Sequence, residues 1–90
     1  MNLSDKITIS PQAVARQVGN ETVILHLGNG TYFGLDPVGA RIWQLMGEGK
    51  TLAEICEVML DEYDVSREDV ERDALSLAQN LAAQKLIDIE

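Results

Sequence analysis

One histidine, one cysteine and a run of carboxylates are the side chains here with the types to do chemistry, and their spacing decides what chemistry that is. His26 is the only histidine. No serine, cysteine or carboxylate stands at a spacing that specifies a partner for it as a base, so it reads as a strand-surface residue. Cys56 is the only cysteine; it cannot form an internal disulfide, and it falls in the apolar stripe of a predicted helix, where a thiol is inert. Asp61, Glu62 and Asp64, then Glu68, Asp69, Glu71 and Asp73, have the chemistry for a cation or an acid/base pair. A calcium loop alternates its acids around a central glycine, and no such run occurs. These acids are therefore read as a solvated helix face. Gly49-Lys50-Thr51 resembles the end of a phosphate-binding loop, but Gln44 stands where that motif needs glycine, and a helix precedes it where a strand belongs. No catalytic residue, metal ligand or cofactor is expected.

Ninety residues, 46% of them hydrophobic, suit one small domain spanning 1–90. Apolar runs such as Val23 to Leu27 are too short to span a bilayer, and the amino terminus lacks a basic-then-apolar signal pattern, so a cytoplasmic protein with no membrane partner is expected. Fifteen acidic against seven basic residues give a net charge of −8, which repels phosphate backbones. Nucleic acid is not expected as a partner.

The elements divide into a strand-rich first third and a helical remainder. Residues 1–12 form a loose tail or, at Lys6 to Ile9, a short extra strand. Ala13 to Val18 and Glu21 to Leu27 are strand-like, with Gly19-Asn20 as a two-residue hairpin signal. Gly28-Asn29-Gly30 then connects to a third strand, Thr31 to Leu35. A two-residue loop would place Phe33 and Leu35 with Ile24 and His26; a three-residue loop with Gly30 left-handed places them with Val23, Leu25 and Leu27. The second choice gathers one apolar face, and it turns Ile24, His26 and Tyr32 away from the core.

Asp36 is placed to cap a helix and Pro37 suits its first position, so the third strand feeds directly into helix one, Pro37 to Gly47. Helix two opens at Thr51 with Glu54 three residues on, and carries Leu52, Ile55, Cys56, Met59, Leu60 and Tyr63 along one stripe. Helix three opens at Ser66 and buries Val70, Ala74, Leu77, Ala78 and Leu81, ending near Gln84 or Lys85. Leu86 to Ile89 is a terminal strand or a packed tail. The expected fold is α+β and winged-helix-like, a three-stranded antiparallel sheet followed by three helices.

A winged helix would read DNA with helix three, yet its first turns carry Glu68, Asp69, Glu71 and Asp73 against Arg67 and Arg72, which fails electrostatically. An acyl-carrier-like domain shares the length and acidity, but neither Ser66 nor Ser76 sits in the Asp-Ser-Leu-like context that carries a phosphopantetheine arm. What stands out is the third strand's outer edge, which has none of the lysine, proline or inward charge that normally blunts one. Either the carboxy-terminal segment or a second copy covers it, as in a homodimerising module, or it accepts an extended peptide by β-augmentation.

The run Tyr32-Phe33-Gly34-Leu35-Asp36-Pro37-Val38-Gly39-Ala40-Arg41-Ile42-Trp43, with Gly47 to Ile55 and then Val70, Asp73, Leu77 and Leu81 ahead of Leu86-Ile87, resembles the PqqD family over residues 13–89. The family often has asparagine where Asp36 stands; both cap a helix. The resemblance implies a non-enzymatic adaptor that binds the leader of a ribosomally made precursor peptide as an added strand between the third strand and helix three. It also implies that the adaptor presents the peptide to modifying enzymes. Carried over residue by residue, the peptide-binding positions are Thr31, Tyr32, Phe33, Gly34, Leu35, Val70, Asp73, Ala74, Leu77 and Leu81. The run from Leu35 to Trp43 is most similar to lasso-peptide members, which implies a leader peptidase and an ATP-dependent cyclase as partners, or a radical SAM enzyme in another pathway. On helix three, the flank of Leu75, Ala78 and Ala82 is expected to pack on the other helices. The polar flank of Asp73, Ser76 and Asn80 is expected to face the cleft.

Overall fold

β-branched and aromatic residues between glycine-containing turns make the strands, and three well-capped amphipathic stretches make the helices. A computed structural model describes residues 2–89. The order is β1 (Ile7–Ile9), β2 (Ala13–Val18), β3 (Glu21–His26), β4 (Tyr32–Leu35), α1 (Pro37–Gly47), α2 (Leu52–Glu62), α3 (Arg67–Ala83) and β5 (Ile87–Ile89). β2, β3 and β4 form an antiparallel meander, and the three helices follow it, so the fold is the expected α+β arrangement. Lys6 to Ile9 is an extra strand: β1 pairs antiparallel with β5, Ile7 opposite Ile89. The carboxy-terminal strand is thereby committed to β1, and among the described residues no strand pairs with the outer edge of β4.

Each helix begins on a side-chain acceptor that satisfies amides left free by the first turn. Asp36 Oδ1 accepts from Gly39 N at 2.7 Å. Thr51 and Glu54 form a reciprocal capping box, Glu54 N to Thr51 Oγ1 at 3.2 Å and Thr51 N to Glu54 Oε1 at 2.9 Å. Ser66 Oγ accepts from Asp69 N at 3.1 Å. α3 ends where Lys85 turns left-handed at φ 61° and Leu86 N returns to Leu81 O at 2.9 Å.

The core is one cluster in which Ile24 and Leu35 from the sheet meet Ile42, Leu45 and Met46 of α1, Leu52, Ile55 and Met59 of α2, and Ala74, Ala78 and Leu81 of α3, closed by Ile7 and Ile87. The faces of the sheet are the reverse of those expected. Ile24 and His26 face inward, and Leu25, Leu27 and Val14 remain exposed on the far face of the sheet. Ile24 lies opposite Phe33 and Leu25 opposite Tyr32. His26 N donates to Thr31 O at 2.8 Å, so the β3–β4 loop is the four residues Leu27 to Gly30, an even number that reverses the parity expected from a three-residue loop. Gly30 is left-handed as expected, at φ 75°, and Tyr32 does point away from the core. Leu77, expected to be buried, is half-buried.

Candidate functional site

In an antiparallel ladder successive residues turn their amides and carbonyls alternately toward and away from the neighbouring strand. The bond from His26 N to Thr31 O fixes that alternation for β4. Phe33 and Leu35 turn their backbone groups toward β3; Tyr32 and Gly34 turn theirs to the outer edge, where no strand pairs with them among the described residues. A short run of unpaired donors and acceptors is thus presented beside the start of α1.

Beneath that edge runs a groove of about 310 Å³ between β4, the first turns of α1 and one flank of α3. Phe33, Gly34 and Leu35 form one wall, Val38 and Ile42 the floor, and Asp73, Ser76, Leu77 and Asn80 the other wall. The three polar residues lie three and four positions apart, on one flank of the helix. At the α3 amino-terminal end the groove meets a mainly apolar pit of about 80 Å³ that shares Val38, Ile42 and Asp73 with it and adds Met59, Tyr63, Val65, Asp69 and Val70.

The residues carried over from the family are distributed unevenly around this groove. Phe33, Gly34, Leu35, Asp73 and Leu77 line it, and Val70 lines the adjoining pit. Tyr32 offers its backbone at the edge while its side chain stands 75% exposed on the outer face. Thr31 precedes the strand and donates its hydroxyl to Asn29 Oδ1 at 2.6 Å. Ala74 and Leu81 are fully buried in the core, at 0% exposure, and have no surface to offer a ligand. Their helical spacing is that of the packing stripe, one step around the helix from the groove flank. Val38 and Ile42, missing from that set, reach the floor because α1 starts at the residue after the Asp36 cap, a proximity readable from Leu35-Asp36-Pro37.

Ion pairs fix the helices that carry these walls. Arg41 on α1 donates to both carboxylate oxygens of Glu62 on α2, at 2.9 and 2.6 Å, and to Gln44 Oε1 at 2.9 Å. That pairing lowers the Glu62 carboxyl from its ordinary value and raises the Arg41 guanidinium. Arg67 at the start of α3 reaches Glu57 of α2 at 2.6 Å. Arg72 lies 3.1 Å from Asp69 and 3.4 Å from Asp73 at the groove mouth. Such exposed pairs are each worth little, and they orient more than they stabilise. Among the described residues no group of three or more His, Cys, Asp and Glu side chains is placed to hold a metal, and no helix is long and apolar enough to cross a membrane.

Residues 21–87 match the family described as Coenzyme PQQ synthesis protein D (PqqD). No match is found among curated proteins. Among solved structures, the chain is similar to one described as TbiB1 in complex with the TbiA(beta) leader peptide, at 46% identity over 89% of this chain and 93% of that one, with a TM-score of 0.82. It is also similar to one described as lasso peptide synthetase B1 complexed with the leader peptide, at 27% identity over 91% of this chain and 96% of that one, with a TM-score of 0.83.

Proposed function

We propose, from the premise that this chain belongs to the PqqD family, that it binds the leader segment of a ribosomally made precursor peptide as a fourth strand on β4. The observation that carries this is the open β4 edge lying over a groove whose opposite wall is α3, in a chain similar to two proteins solved with leader peptides. Main-chain bonds to Tyr32 and Gly34 supply sequence-independent affinity, and the groove and its apolar pit select side chains. Asp73, at the mouth, accepts a hydrogen bond from the peptide. The chain performs no reaction itself; it presents the core peptide to modifying enzymes in the cytoplasm. The likeness to lasso peptide synthetase B1 favours a leader peptidase and an ATP-dependent cyclase over a radical SAM enzyme.

Titration calorimetry tests this with two probes: the leader of the precursor peptide encoded beside this chain, and the TbiA(beta) leader. Saturable one-to-one binding is expected. No heat from either probe at high micromolar concentration overturns the reading.

A further inference from the structure

The one buried polar side chain of the described residues is His26, at the end of β3 and 9% exposed. Its Nδ1 lies 3.0 Å from Gly28 N and 3.2 Å from Asn29 N, both donors. Nδ1 is thus the acceptor that both loop amides share. Its own amide donates to Thr31 O and its own carbonyl accepts from Gly30 N at 2.9 Å. One residue thereby organises the whole Leu27–Gly30 connection from inside. Gly28 completes the arrangement: a Cβ there would stand 2.9 Å from His26 Cε1, so a side chain at 28 and an imidazole at 26 compete for one space.

We propose that His26 is the positioning residue of the β4 edge. Its imidazole Nδ1 holds the loop whose even length sets the register of Tyr32 and Gly34, and peptide binding is therefore lost when that acceptor is removed. This rests on peptide binding at β4. Without that acceptor the Gly28 and Asn29 amides lose the partner that both now donate to, and the connection between β3 and β4 is no longer closed from inside.

The test is the affinity of the TbiA(beta) leader for the parent, His26→Asn, His26→Phe and Gly28→Ala, with amide exchange at residues 28 and 29 and the melting temperature of the free proteins followed in parallel. His26→Phe keeps a ring but no acceptor, and is expected to lose about tenfold in affinity with faster exchange at 28 and 29. His26→Asn keeps an oxygen acceptor, so it should bind close to the parent. Gly28→Ala, which displaces the ring, should bind weakly. His26→Phe binding like the parent, or His26→Asn binding no better than His26→Phe, overturns the proposal. A parent that binds neither this leader nor the one encoded beside it overturns peptide binding itself. The loop claim is then judged on exchange, where amides at 28 and 29 that stay as slow in His26→Phe as in the parent overturn it.

Discussion

Two residues of α3, Leu81 and Asp73, separate stability from recognition. Leu81 is fully buried, and Leu81→Ala should cost about 2–5 kcal/mol by leaving a cavity, read as a lower denaturation midpoint. Asp73, with its side chain 67% exposed at the groove mouth, should behave oppositely. Asp73→Arg is expected to weaken leader binding about tenfold, near 1.4 kcal/mol, with the melting temperature almost unchanged. Residues that cap helices were legible in the sequence because their signal is local: Asp36, Thr51 and Ser66 all accept the amides their spacing implied. His26 was not. Its partners are two loop amides, a satisfaction that no spacing of side chains announces, and a polar residue turned inward contradicts the apolar pattern used to choose the loop.

At the scale of elements, the edge of β4 makes a directional prediction from backbone alternation. Gly34 turns its amide outward, so Gly34→Pro removes no bond within the sheet but removes a donor from the open edge. Phe33 turns its amide to β3, so Phe33→Pro breaks the ladder. The first should bind leader poorly and melt close to the parent; the second should melt far lower. If both melt together, the assigned alternation is wrong. Helix starts were readable because cap and period agree: Pro37, Leu52 and Arg67 each follow the capping residue that the sequence offered. The β3–β4 register was not, since both faces of this short sheet are apolar. Burial pattern then chooses the wrong parity, and only the loop length decides it. For the same reason the groove flank of α3 could be named, while Ala74 and Leu81, carried over by resemblance, fall on the packing stripe.

The whole molecule partitions its charge. Through Asp36 there are three acids against two bases, and beyond it twelve against five, so the helices carry nearly all of the negative field and the sheet little. Among those acids Glu54, Glu57 and Glu62 are held below their ordinary value of 4.5, by the Thr51 cap, Arg67 and Arg41 respectively. A lowered folded-state value means that their contribution is complete above about pH 4.5 and is lost as the pH falls through the lower folded values. Thermal stability should therefore hold from neutral pH down to about 5 and decline below it, read as the melting temperature across pH. A melting temperature that already falls between about pH 7 and 5 would contradict this assignment.

The open edge over the groove is the centre of the account, and hydrogen exchange of the complex reads it directly. With the leader bound, the amides of Tyr32 and Gly34 should become slow to exchange. Ala15 and Gln17, whose amides face the other open edge of the sheet on β2, should remain fast. Protection at Ala15 and Gln17 instead, or a bound leader that leaves Tyr32 and Gly34 fast, would contradict pairing on β4.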